Sequence, residues 1–365
     1  MGCAGNDGTG VKNSSDNYIL AEFDITEEDT NDTTFLYLPV YKESKEGENG
    51  QEEVIKETPK RECEVEVNEE IITKYEYKFP KAGIYKVKFI FKSPLTDATG
   101  LFWQAECLKT VDLTHLQTQK LTSVQLMFNY CGKLESADFS NLDLRNVTNM
   151  SDLVSACPSL KSINFSNIKT KNLENITDLF GGCASLKSID LSYFNTDTVK
   201  NMSDLFSGCE GLENITFPKN FSTKNVTTMN DMFRDCKALQ YINLSNFDTS
   251  KVTNMDNMFN GCESLKALDF SKFNTQNVEK MEFMLCGCKS LEELDLSSFN
   301  TQKVKSMSLI FSECEGLKKI NLSGFNVSNA DIHGMFYEIT NLKKEGLITK
   351  DKKIIEEYKQ ELKSK

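Results

Sequence analysis

The sequence predicts an α/β repeat solenoid of about nine coils of roughly 26 residues, each a short strand followed by a short helix. A small β domain in front and a helical cap behind complete the prediction. Three observations carry it. The cysteines Cys107, Cys131, Cys157, Cys183, Cys209, Cys236, Cys262, Cys288 and Cys314 follow one another at spacings of 24, 26, 26, 26, 27, 26, 26 and 26 residues. Of the 12 Met, all but Met1 fall in two slots of that repeat. The same apolar pattern returns in every unit, and a unit this short cannot bury its own apolar face unless neighbours stack upon it.

The elements follow in chain order. Residues 1–16, MGCAGNDGTGVKNSSD, read as a flexible tether. Gly2 and Cys3 are lipidation candidates, either by acylation of both or as the remnant of a lipoprotein signal, although Asn6 stands where acylation favours Ser or Thr. An unmodified terminus is the alternative. Residues 17–94 lack helical periodicity. NYILAEFDI, TFLYLPVYK, YEYKF and IYKVKFIFK suggest four or five strands, the last two flanking Pro80-Lys81-Ala82-Gly83 as a hairpin, with an acidic loop from Glu43 to Lys60. This domain is expected to cover the open edge of the first coil.

Residues 95–342 are the solenoid. In Ser185–Cys209, SLKSIDLSYFNTDTVKNMSDLFSGC, the residues Leu186, Ile189 and Leu191 predict a strand and Phe194 plugs the corner. Leu239, Ile242 and Leu244 repeat that strand. Val199, Met202, Leu205, Phe206 and Cys209 then recur at helical spacing, with Asn201 as N-cap and Asp204 three residues on. Lys280 replaces the cap in one coil, which predicts a frayed helix start there. Phe102, Phe128, Phe180, Phe206, Phe233, Phe259, Phe311 and Phe336 share one slot and should form a buried spine, with Val154 and Leu285 in the same place. Residues 343–365 are basic, and Ile354, Ile355, Tyr358 and Leu362 make the apolar stripe of a capping helix.

The pattern Leu-x-x-Ile-x-Leu-x-x-Phe followed by Asn-Thr resembles a leucine-rich repeat. The string LSNFDTSKVTNMDNMFNGCESL, Leu244 to Leu265, is similar to the BspA-like leucine-rich-repeat surface proteins of bacteria and protozoan parasites. The resemblance covers about residues 95–342. It implies a cell-surface protein that binds other proteins, host or extracellular matrix proteins among them, and supplies no catalytic residue. Many such proteins carry an export signal, and none is visible here.

Composition narrows the function. With 42 Lys and Arg against 54 Asp and Glu, the net charge is −12, the wrong sign for a nucleic-acid binder. The two histidines, His115 and His333, pair with no Ser, Cys or Asp in a catalytic arrangement, and there is no glycine-rich phosphate loop. An enzyme, a metal site and a cofactor are not expected. The cysteines are too far apart for metal pairs and read as buried small hydrophobes, which suits a reducing compartment. Cys286 alone falls in a variable slot and is the expected reactive thiol.

The strand residue between the two inward positions should line the concave face: Asp112, Asp138, Asn164, Asp190, Thr216, Asn243, Asp269, Asp295 and Asn321. This stripe is the candidate partner-binding surface for a basic protein face, with Asp112–Asp138 and Asp269–Asp295 as adjacent carboxylate pairs. A plain solvated face is the alternative. The expected function is non-catalytic protein binding by a membrane-tethered surface protein; the alternative is an intracellular structural scaffold.

Overall fold

Alternation of apolar and polar residues in the first ninety positions produces strands that are buried on one side only. The computed structural model describes residues 17–46, 52–58, 60–72, 74–219 and 221–364. Eight strands precede the repeats: β1 (Tyr18–Ile25), β2 (Thr34–Phe35), β3 (Lys42–Glu46), β4 (Glu52–Glu57), β5 (Cys63–Val67), β6 (Glu70–Ile72), β7 (Glu76–Tyr77) and β8 (Gly83–Phe91). The expected hairpin across Pro80–Gly83 does not form. β8 lies between β1 and β5, whereas β7 pairs with β2. The true tight hairpin is β5–β6, whose Asn68 and Glu69 both have positive φ, the geometry that matches strand twist. The stretch expected as an acidic loop instead holds the antiparallel pair β3–β4.

The strands of the first coils are β9 (Leu108–Asp112), β10 (Ser136–Asp138), β12 (Ser162–Asn164), β14 (Ser188–Asp190) and β15 (Asn214–Thr216). β11 (Asp143–Leu144) and β13 (Lys169–Thr170) pair on a second side of the coils. β16 (Glu293–Asp295), β17 (Lys319–Asn321) and β18 (Leu347–Ile348) form a parallel sheet near the end, and α1 (Lys352–Ser364) follows. Coil strands pair in parallel at an offset of one repeat, as in Ser136↔Ser162 and Ser188↔Asn214. Residues 239–244 and 265–270 hold no strand among the described residues. Leu239, Leu244, Leu265 and Phe270 are buried there all the same.

β1 pairs antiparallel with β9 of the first coil and with β8 on its other edge. The order β12-β10-β9-β1-β8-β5-β6 therefore makes one seven-stranded sheet that runs from the N-terminal strands into the solenoid. An open coil edge would present unpaired amides and carbonyls; β1 satisfies them.

The short helix expected in each coil is absent, and the only α-helix among the described residues is α1. A helix is 10–12 Å across, whereas strands of stacked coils repeat at about 4.8 Å, so a row of helices fits only where the stack curves open, and here hydrogen bonds tie this side of the coils together as closely as the strand side. The chain uses flat turns instead. Met229, Asp231, Phe233 and Asp235 donate their amide hydrogens to Asn254, Asp256, Met258 and Asn260 of the next coil at 2.7–3.0 Å. The amides between them turn back, Arg234 to Asp231 and Cys236 to Phe233. Two residues per coil sit in the left-handed region, such as Asp204 (φ 57°) with Gly208 (φ 71°) and Asp231 (φ 55°) with Asp235 (φ 56°).

Asn201 is consequently not a helix cap. Its Oδ1 accepts the Ser203 amide at 2.9 Å, and its backbone bridges to Asn175 and Thr228 in the coils beside it. Lys280 shows no fraying. It bridges Asn254 and Ser306, and Asp256 Oδ1 of the preceding coil accepts the Glu282 amide at 2.7 Å in place of the missing side chain.

The core is a continuous column. Every phenylalanine of the predicted spine is buried. Phe180, Phe206, Phe233 and Phe259 stack face to face at centroid distances of 5.5, 5.7 and 5.2 Å. From Cys131 to Cys314 each ladder thiol points at the coil behind it, for example Cys209 Sγ to the Phe180 carbonyl at 3.1 Å and Cys262 Sγ to that of Phe233 at 3.1 Å. A third column is of hydroxyls. Thr223, Thr249, Thr275 and Thr301 are almost fully buried, and each donates to a carbonyl of the next coil at 2.8–3.0 Å.

Candidate binding face

The outward side chains of the seven-stranded sheet form a row set by strand register. Glu66 lies opposite Lys88, Lys88 opposite Leu20, Leu20 opposite Asp112, Asp112 opposite Asp138, and Asp138 opposite Asn164. A parallel row holds Lys86, Glu22, Thr110, Ser136 and Ser162. Between them lies a trough of about 860 Å³. It exists because period-two alternation places Ile19, Ala21, Val87 and Val111 in the core and their neighbours outside.

The trough has a mixed chemistry. Leu20 is 39% exposed and supplies an apolar patch. Lys88 lies 3.8 Å from Glu66 and over the Tyr18 ring at 4.7 Å, and Tyr18 stacks on His115 at 4.5 Å. Lys86 makes no ion pair among the described residues. The carboxylates of Glu22, Glu66, Glu69, Asp112 and Asp138 outnumber the two lysines of the lining.

The predicted stripe lies on this strand face, and the structure gives it a second purpose. Oδ1 of Asp112, Asp138, Asp190, Asp269 and Asp295 accepts the amide of the residue two positions on at 2.8–2.9 Å. Asn164, Asn243 and Asn321 do the same at 3.0–3.1 Å. Each closes the turn that follows it, at the end of a strand except for Asn243 and Asp269, whose coils hold none. Thr216 cannot do so, and the residue two on is Pro218, which has no amide hydrogen. Only Asp112, Asp138 and Asn164 reach the trough. The Asp269 and Asp295 carboxyls are held below the usual range by their bonds from Ser271 and Ser297.

Other candidate groups are placed plainly. Gly2 and Cys3 lie outside the described residues. Cys286 is not an exposed thiol: it is 9% exposed, and burial raises its pKa, because its slot faces Ser312 of the next coil rather than solvent. The ladder thiols are free and buried, and burial pushes Cys209 and Cys314 up to about 12. No group of three His, Cys, Asp or Glu among the described residues is arranged to hold a metal.

A further polar column was not foreseen. Asp152, Asp178, Asp204 and Asp231 occupy the first left-handed slot of consecutive coils. Burial, reinforced by Asp152 and Asp204 and opposed by the Ser155 hydroxyl at 2.8 Å, raises Asp178 to about 7. Burial and Asp231 raise Asp204 to about 6. Sequence reading also missed the half of the trough made by Leu20, Glu22, Lys86 and Lys88. Their alternation in NYILAEFDI and IYKVKFIFK was the available signal.

Comparison with known proteins places the repeats. The family model described as "Mycoplasma protein of unknown function, DUF285" matches residues 96–217, 151–264 and 227–350. Among solved structures, the chain is similar to TLR13 in its complex with ssRNA13, at 19% identity and TM-score 0.24, covering 63% of this chain and 34% of that one. A leucine-rich repeat protein from Eubacterium ventriosum gives 19% identity and TM-score 0.23, covering 56% of this chain and 64% of that one. A leucine-rich-repeat protein of Leptospira interrogans gives 13% and 0.21, covering 68% of this chain and 93% of that one. The chain thus spans about a third of the TLR13 chain and under two thirds of the Eubacterium one. No curated protein matches.

Proposed function

This chain belongs to the family described as Mycoplasma protein of unknown function, DUF285, and we propose that its work is non-catalytic: it binds another protein through the outward face of its strands. The observation that carries this reading is the trough shared by β1, β5, β8, β9, β10 and β12. A floor with one exposed leucine, two lysines and a majority of carboxylates suits a basic segment with an apolar anchor. Rigid strands hold these groups, which lowers the ordering cost of binding. The BspA-like resemblance supports a finer reading, in which the protein works at a cell surface, tethered through lipid on Gly2 or Cys3.

The test is capture of partners by the full chain and by a Leu20→Ala/Glu22→Gln variant, which removes the apolar anchor and one of the carboxylates. Partners lost with the variant, at unchanged thermal stability, support the trough; partners retained in full overturn it. The tether is tested by the intact mass of the native protein, where acyl mass on the N-terminal peptide supports it and a bare terminus overturns it. A second reading, an intracellular scaffold, draws on the column of free thiols, which suits a reducing environment.

A further inference from the structure

A second recess lies away from the trough, between the segment that joins β1 to β2 and the first coil. It measures about 560 Å³, and its walls include the Trp103 indole and the Phe35 ring, with Glu28, Asp32 and Glu106 in its lining. Phe35 is 52% exposed and stacks on Tyr75 at 6.2 Å. Trp103 is fixed by its Nε1 bond to Asn129 Oδ1 at 3.2 Å and by the edge contact of Tyr41 at 6.3 Å. An aromatic ring held open to solvent beside carboxylates is the arrangement that attracts an organic cation over its face.

Three of the four carboxylates lining this recess make no ion pair among the described residues. Several surface carboxylates along the coils are met by a lysine one repeat on, as in Glu135–Lys161, Glu174–Lys200, Glu210–Lys237 and Glu263–Lys289. Asp29, also in the lining, is met by Lys133 at 2.9 Å. Glu28, Asp32 and Glu106 take part in no ion pair among the described residues, and no Lys or Arg lines the recess. Their carboxylates are not arranged to hold a metal ion. Aromatic walls with separated carboxylates fit a larger, softer cation than a metal.

We propose that the recess between Trp103 and Phe35 binds an organic cation, a guanidinium or alkylammonium group, with Glu28, Asp32 and Glu106 as its counter-charges. The group comes either from an arginine or lysine side chain of a partner or from a free amine. Trp103 is the only tryptophan of the chain, so its fluorescence reports this site alone.

The experiment titrates the full chain with n-butylguanidinium and with its uncharged isostere n-butylurea at constant ionic strength. A saturable change with the cation and none with the urea is expected. Glu106→Gln/Asp32→Asn should weaken the cation tenfold or more with an unchanged melting temperature, both residues being exposed. Equal responses to the two compounds, no saturable response to the cation, or full affinity in the folded variant would each overturn the proposal. Agmatine and an acetyl-arginine amide then separate the sources: tighter agmatine assigns a free amine, tighter arginine amide a protein side chain. None of these readouts depends on the strand-face trough.

Discussion

The Glu357 carboxylate accepts the Gly334 amide hydrogen at 2.7 Å. One helical turn on, Glu361 accepts the Glu338 amide at 3.3 Å. Gly334 and Glu338 hold the two left-handed slots of the last coil, whose counterparts elsewhere donate to a following coil. Here none follows, and α1 supplies the acceptors from side chains. Lys353 Nζ similarly donates to the Ala330 carbonyl at 2.6 Å, while Ile354 and Tyr358 bury the apolar end.

Removing these acceptors should loosen the last coil first. Glu357→Ala/Glu361→Ala is expected to cost about 1–3 kcal/mol, the penalty of stranded donors. Hydrogen exchange should quicken in residues 330–342 while the central coils keep their protection. Uniform exchange along the chain would contradict it.

Thr249 makes a sharper case, because its hydroxyl donates to the Asn274 carbonyl at 3.0 Å and accepts the Asn274 amide at 2.8 Å. Thr249→Val keeps the shape and loses both bonds. Chemical denaturation should show a loss of about 1–3 kcal/mol, whereas Thr253→Val, exposed and bonded only through its hydroxyl hydrogen, should cost less.

Phe259 is fully buried between the rings of Phe233 and Phe270. Phe259→Ala should destabilise by about 3–5 kcal/mol, read as a lower denaturation midpoint.

The aspartate column gives the fold a pH response. Asp178 and Asp204 titrate at about 7 and about 6 when folded, against about 3.9 when unfolded. Between those values the folded chain holds more protons than the unfolded one, so stability from this source falls as pH rises from about 4 to about 7 and is level above that. Asp178→Asn should flatten the response and raise stability at pH 8 by about 1–2 kcal/mol, discounted for partial exposure from the 1.4 kcal/mol carried by each pKa unit. Melting temperatures of both proteins at pH 5 and pH 8 decide it, and an unchanged slope would refute it.

Asp269→Asn/Asp295→Asn should leave the fold intact, because the amide oxygen still accepts from Ser271 and Ser297. Asp269→Ala/Asp295→Ala loses both turns and should cost about 1 kcal/mol for each hydrogen bond. A partner that reads charge on this face would bind the Asn variant more weakly at equal stability, measured by calorimetry on the captured partner.

The strand side of the coil was legible because Leu186, Ile189, Leu191 and Phe194 can bury together only as a strand and its corner. The other side was misread for a physical reason. Left-handed residues four apart, Asp204 and Gly208, make successive turns of nearly the helical period, so Met202, Leu205, Phe206 and Cys209 recur as they would on a helix. Side-chain spacing cannot tell the two apart; the amide bonds from coil to coil, such as Asp231 to Asp256 and Phe233 to Met258, can. Of the stripe from Asp112 to Asn321, Asn243 and Asp269 lie in coils without a strand, and the turn-closing bond was not foreseen. The pairing of β1 with β9 joins residues about ninety positions apart, and no local pattern encodes that.

Because the Cys and Thr columns bond to carbonyls one coil away and the Phe spine stacks on its neighbours, the same way in coil after coil, the molecule has no favoured middle. Excising Lys237 to Cys262 would bring Cys288 over the Phe233 carbonyl just as Cys262 stands now, and the two ends would close a shorter rod unaware of the loss. Length is therefore a freely adjustable property of this architecture, set by how many identical rungs a gene happens to contain.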